Sequence, residues 1–255
     1  MGGSLFIFII MKDNFSKQAN LYAKHRPNYP IQLFDFIIGY VNEKKAAWDC
    51  ATGNGQTAKE LAKYFEKVFA TDISRQQLDN AYQVNNILYS VQPAEQTTFE
   101  DNSFDLITVS QALHWLQFDR FYAEAKRVAK PGTVLATWMY GLLKISPQID
   151  KLIINHHFKT LENHWDYERK YVDENYTTIP FPFEEINCPL FQINYEWTIE
   201  DLEGYLNTWS ALQKFIAENG YNPVDELIKK IKSQWTAEKM QIFFPVYIRM
   251  GKIDK

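Results

Sequence analysis

The stretch that most constrains this chain is residues 46–62, AAWDCATGNGQTAKELA, where two glycines and an aspartate separate a short apolar run from a helical pattern. A chain gives up its Cβ atoms where the backbone must turn tightly, or where a ligand must come against backbone N–H groups. The pattern predicts a strand over 46–50, a glycine turn, and a helix over 55–65 whose Ala58, Leu61, Ala62 and Phe65 share one face. KVFATD, residues 67–72, reads as a second short strand that ends in an acid. A glycine pair alone is equally compatible with a turn that serves only the fold. What stands around it decides between the two readings.

The strand–helix rhythm continues on both sides. Residues 31–42 follow a proline and carry apolar positions at helical spacing, and 75–84 form a second helical pattern with Ser74 as a plausible N-cap. Residues 103–112, SFDLITVSQA, are nearly continuous in apolar character, the mark of a central parallel strand covered on both faces. A helical run over 120–130 and a strand over 131–140 complete an alternation that predicts an open α/β, doubly wound, mostly parallel sheet. Right-handed crossovers then place the strand C-termini, and the site, along one edge. After Tyr140 the rhythm changes: 146–170 reads as helical, 191–198 and 240–250 as strands, and 199–218 and 223–235 as helices. The expected division is a single domain over 11–255. It comprises a cofactor-binding core over 11–140, a helical cap and substrate side over 141–240, and a last strand over 241–252. The apolar run in residues 1–10 is far short of the roughly 20 residues that span a bilayer, and it reads as an extension outside the fold.

Composition removes some classes of function. The chain has 255 residues, 46% hydrophobic and 16% aromatic, enough for a continuous core. A net charge of −4 without a basic stripe argues against a nucleic-acid partner, and no segment argues for a membrane one. Two cysteines, Cys50 and Cys188, make no disulfide framework and point to a cytoplasmic protein, expected as a monomer or homodimer. His157 and His164, seven residues apart, would lie two helical turns apart, too far for one metal ion, so no metal is expected.

The chemistry of the turn narrows the ligand. In doubly wound sheets an acid at the end of the second strand accepts hydrogen bonds from a ribose, the position Asp72 holds. GNGQTA formally satisfies a dinucleotide fingerprint, G-x-G-x-x-A. A diphosphate, however, would meet Asp49 as a like charge, whereas a ligand carrying an ammonium and a sulfonium would welcome it. D-x-x-x-G-x-G at 49–55, the acid at 72, DNSFDLITVSQALHW, DRFYAEAKRVAKPG, FSKQANLYAKHRPNYP and LNTWSA together resemble the class I S-adenosylmethionine-dependent methyltransferases. More narrowly they resemble the type 11 group, which includes trans-aconitate methyltransferase-like small-molecule enzymes.

That resemblance implies a Rossmann-like seven-stranded sheet, S-adenosyl-L-methionine as cofactor, and a small-molecule acceptor, with a carboxylic acid as the preferred class. It implies that Asp49, Thr52, Gly53 and Gly55 cradle the methionine part and the ribose edge, that Asp72 binds the ribose, and that Ile73 packs on the adenine. Pro93 stands where relatives often carry an acid, which leaves the Ala94 N–H and Glu95 as the candidates along the adenine's amino edge. Gln111 is placed near the methyl and the ammonium, and Tyr22 and Arg26 over the cofactor. Thr133 replaces a second glycine after AKPG, a small adjustment to a turn. His114 is the candidate catalytic residue, as a general base, an acceptor-orienting donor or a hydrogen-bonded structural histidine. Trp115, Trp138, Tyr140 and Trp209 are candidates for the acceptor wall, each with core packing as its alternative. An NAD-type oxidoreductase and a catalytically silent adenosyl-binding module remain the alternatives.

Overall fold

The computed structural model describes residues 27–255. The elements are α1 (Ile31–Ile38), β1 (Ala46–Cys50), α2 (Gln56–Leu61), β2 (Lys67–Asp72), α3 (Arg75–Asp79), β3 (Ile87–Val91), β4 (Phe104–Ser110), α4 (Phe118–Val128) and β5 (Ala129–Tyr140). They continue with α5 (Pro147–Asn155), α6 (Arg169–Asp173), β6 (Glu184–Glu185), β7 (Phe191–Trp197), α7 (Ile199–Leu206), α8 (Ser210–Asn219), α9 (Val224–Lys232) and β8 (Met240–Ile253). The sheet runs in the order β3-β2-β1-β4-β5-β8-β6, with β7 also paired to β8. β1 to β5 are mutually parallel and β8 is antiparallel to β5. This is the expected doubly wound α/β sheet, with eight strands once the two-residue β6 is included.

Side-chain alternation explains why the central strands are apolar at every position. Ala47, Leu106, Val134, Ala136 and Trp138 belong to the core on one face of the sheet. Their neighbours Trp48, Ile107, Leu135 and Met139 belong to the core on the other. A strand covered by helices on both faces has no polar side, so its sequence loses the two-residue rhythm. Phe121, Ala125 and Val128 of α4 close the second face, and Leu33, Phe34 and Ile37 of α1 close the first.

Helix starts follow local chemistry. Ser74 Oγ accepts the Gln77 N–H at 3.3 Å, the expected cap of α3. Thr198 and Asp201 form a reciprocal capping box at α7. Several predicted helices are shorter than their sequence patterns: α1 stops at Gly39 and α2 at Ala62. Residues 146–170 do not form one helix; α5 gives way to a π-turn over His156–Thr160 and a 3-10 turn over Glu162–His164. The first core also contains Leu202, Leu212, Leu227 and Phe244, so the segments after Tyr140 pack on the same sheet. Among the described residues no helix is long and apolar enough to cross a membrane. No cluster of three or more ligating side chains among them is suited to a metal. Residues 1–10, Tyr22 and Arg26 lie outside the described residues.

Candidate active site

The carboxyl ends of β1, β2, β4 and β5 open on a cavity of about 530 Å³. At its floor the chain leaves β1 in a succession of left-handed conformations: Ala51 at φ 53°, Gly53 at 57° and Gly55 at 80°. Thr52 ties the turn back to β2 by donating its N–H to Thr71 O at 2.9 Å. The two glycines have different causes. A Cβ on Gly53 would meet nothing within 4 Å, so that side of the backbone is open, and the residue lines the cavity. A Cβ on Gly55 would run into the Tyr89 hydroxyl, which donates to Tyr82 O at 2.8 Å. Gly55 is outside the cavity lining, so this glycine serves helix entry and the packing of Tyr89. The ligand-cradling role expected for it is not what its surroundings require.

Asp72 sits where the expectation put it. Its Oδ2 accepts the Gly53 N–H at 2.8 Å and its Oδ1 accepts the Ser74 N–H at 2.9 Å, so the carboxylate bridges the glycine turn and the start of α3. The carboxylate lines the cavity beside Gly53. Ile73 is 38% exposed and lines the same wall, an apolar surface left open at the edge of a carboxylate. Ala94 and Glu95 line the same cavity, and Glu95 Oε1 accepts the Gln117 N–H at 2.9 Å.

Asp49 departs from its expected role. It is fully buried and does not line the cavity. Its carboxylate accepts the Thr108 hydroxyl at 2.8 Å and a short hydrogen bond from Thr52. Burial pushes its pKa up to about 7, against the pull of the Thr52 and Thr108 hydroxyls and the Ala58 N–H, with the Asp72 charge adding to the rise. Asp49 therefore holds the turn from below the cavity floor, through Thr52 and Thr108. The described wall carries Asp72, Glu95 and Glu168 and no Lys or Arg, a lining that repels a diphosphate and suits a cationic, phosphate-free ligand.

The far end of the cavity is aromatic. Trp115 and Tyr140 reach it, together with Tyr29, Tyr167 and Tyr171, which the sequence did not single out. Trp138 and Trp209 do not. Trp138 is fully buried against Tyr29 and Phe34, and Trp209 packs on His157, Trp165 and Tyr205. Gln111 lies at the end of β4 with φ 54° and His114 on a 3-10 turn over Leu113–Trp115, and both line the cavity. Glu168, at the entrance to α6, is a further residue missed; nothing in its local pattern marks it, because a later segment carries it to the site.

The residues at the near end fit an adenosyl group: a carboxylate held by two N–H groups, an open glycine, and an apolar side chain beside them. Comparison with known proteins agrees. The family model described as a methyltransferase domain matches residues 48–137. A Dictyostelium discoideum protein assigned as a methyltransferase is 33% identical over 249 residues, covering 94% of this chain and 95% of its own length. An uncharacterized methyltransferase of Schizosaccharomyces pombe is 26% identical, over 82% of this chain and 85% of its own. A solved structure from Anaeromyxobacter dehalogenans, assigned as a type II methyltransferase, superposes with a TM-score of 0.84 at 35% identity, covering 90% of this chain and 98% of that one. On this likeness across nearly its whole length, and on a cavity that fits the group, the chain belongs to the S-adenosylmethionine-dependent methyltransferases, with S-adenosylmethionine as its cofactor.

Proposed function

We propose that this enzyme methylates a small molecule, with a carboxylic acid as the preferred acceptor class. The observation that carries the small-molecule reading is the continuity of one cavity from the Asp72–Gly53 cradle to the wall of Trp115, Tyr140 and Tyr171. Its volume falls within the range of about 300–1,000 Å³ usual for small-ligand sites. In this reading Asp72 holds the ribose hydroxyls, Gly53 and Thr52 offer backbone to the methionine part, and Ile73 packs on the adenine. Ala94 and Glu95 take the adenine amino edge, and Gln111 lies beside the reacting end. Asp49 and Gly55 support the turn from outside the cavity. Trp115 and Tyr140 line the acceptor side, which Trp138 and Trp209 reach only through packing.

Bound S-adenosylmethionine supplies an electrophilic methyl group on a sulfonium. The protein's share is alignment of nucleophile and methyl, together with exclusion of water. A carboxylic acid reaches the site already ionised and needs no base, and the resemblance to small-molecule enzymes favours it. The free thiols Cys50 and Cys188 suit a cytoplasmic setting. The test is a methyl-transfer screen with parallel sets of carboxylic acids, phenols and amines. Turnover confined to acids supports the acceptor class, turnover of amines or phenols alone replaces it, and cofactor binding with no turnover on any set favours the silent binding module.

A further inference from the structure

His114 is held in a way that decides what it can offer. Its Nδ1 lies 2.7 Å from the Tyr176 hydroxyl, in a buried contact across 62 residues of chain. Tyr176 is itself set in a left-handed conformation, φ 61°, directly after Asn175 at 55°. The Tyr176 N–H donates to Tyr171 O at 2.8 Å, and Arg249 Nη1 donates to Tyr176 O at 3.0 Å. The Tyr176 backbone is therefore held at both its N–H and its carbonyl.

The direction of the His114–Tyr176 bond follows from the remaining neighbours. The Tyr176 hydroxyl makes no other hydrogen bond to a described residue, and burial raises the phenol's pKa far above its ordinary value. The oxygen thus keeps its proton, and Nδ1 is the one acceptor among the described residues that the buried hydroxyl reaches, so a bare Nδ1 leaves no buried donor unpaired. A neutral imidazole with an accepting Nδ1 carries its proton on Nε2. Burial, with Arg169 nearby and only Asp173 opposing, lowers the His114 pKa to about 3, so the ring is neutral at physiological pH. The Trp115 ring, 4.9 Å away, adds no charge. Nε2 makes no hydrogen bond to a described residue, and His114 lines the cavity.

Gln111 is constrained in the same sense. Its Oε1 accepts the Tyr140 N–H at 2.9 Å, and its own N–H donates to Trp138 O at 2.8 Å. With the amide oxygen engaged, the NH2 group is the polar end that remains for the cavity. Two residues of one segment, three positions apart, therefore carry donors on the acceptor side.

We propose, building on the methyltransferase reading above, that Tyr176 is a positioning residue that locks His114 as the Nε2–H tautomer, and that His114 and Gln111 orient the acceptor by donating to a lone-pair-bearing oxygen. His114 is then a donor and not a general base. An ammonium group, itself a donor, finds no acceptor in this pair; Glu168 is the residue on the same wall that would serve one.

The test reads the tautomer directly. Long-range proton–nitrogen spectra of the full chain labelled at histidine nitrogen, with the His114 signals assigned by their loss in H114Q, are recorded from about pH 5 to pH 8. The expected result is a bare Nδ1 and a protonated Nε2 for His114, with no titration. In Y176F the His114 signals should move toward a mixture of tautomers while affinity for S-adenosylhomocysteine stays within about twofold. With S-adenosylhomocysteine bound, benzoate should shift the Nε2–H resonance and benzylamine should not. An Nδ1–H tautomer, titration near neutrality, or an unchanged spectrum in Y176F overturns the lock. A shift with benzylamine alone, or with neither probe, overturns the oxygen-orienting role. Failure of S-adenosylhomocysteine to bind the wild-type chain would count against the methyltransferase reading and leave the tautomer result standing on its own.

Discussion

The cofactor end of the cavity takes Thr52, Gly53, Asp72 and Ile73 from two neighbouring strand–turn units, β1 and β2, which pair directly. The end proposed for the acceptor takes Gln111 and His114 from beyond β4, Tyr140 from the end of β5, and Glu168 and Tyr171 from a segment far along the chain. At the first, function rests on backbone: two N–H groups hold the Asp72 carboxylate and a missing Cβ opens the floor. At the second it rests on side chains whose orientation depends on distant partners, His114 on Tyr176 and Gln111 on Tyr140. A site built from backbone turns constrains its ligand narrowly, whereas one built from a cap can change its occupant without disturbing the sheet.

The comparison can be broken most forcefully at Asp49. Its folded pKa of about 7 lies above the 3.8 of an exposed aspartate. As pH rises between these values the unfolded chain ionises first, so stability falls across that window and the penalty is complete above it. At about 1.4 kcal/mol per unit the upper bound is about 4 kcal/mol. Thermal unfolding of the wild-type chain should therefore show a Tm that drops from pH 5 to pH 8 more steeply than that of Asp49→Asn. Parallel slopes would remove Asp49 from its buried, organising role.

A smaller effect is expected at Asp72. Asp72→Ala removes a charged acceptor for two hydroxyls and the tie between Gly53 and Ser74, and should weaken S-adenosylhomocysteine binding by about 2–3 kcal/mol, read by calorimetry. Unchanged affinity would mean that the ribose lies elsewhere. Smaller again, Trp115→Ala should raise the KM for the acceptor by an amount worth about 1–2 kcal/mol, with cofactor affinity within twofold. A loss of both would show that the two ends are not separable in the way the architecture implies.

Much of the fold is legible in the sequence because the central strands are buried on both faces, and a run such as 104–110 has few other uses. β3 was not expected. Leu88 and Val91 are 48% and 41% exposed, so its edge position leaves no strong apolar signature. The site residues divide along the same line as the comparison. Asp72 and Gly53 follow from a local pattern and Ile73 from the family resemblance, and all three line the cavity. Trp138 and Tyr140 show where local pattern fails: they lie two residues apart on one face of β5, yet only the residue at the strand end reaches the cavity. Gly55 has Tyr89 packed against it, and His114 is held by the Tyr176 hydroxyl. Tyr89 and Tyr176 are partners that spacing along the chain does not reveal.

The central claim is that an acid-lined cavity at the end of β1 and β2 takes a phosphate-free adenosyl ligand. Calorimetric titration of the chain with S-adenosylhomocysteine, and with NAD under the same conditions, tests it most directly. The account predicts one-to-one binding of S-adenosylhomocysteine with no heat from NAD. Tight binding of NAD, with none of S-adenosylhomocysteine, would contradict it.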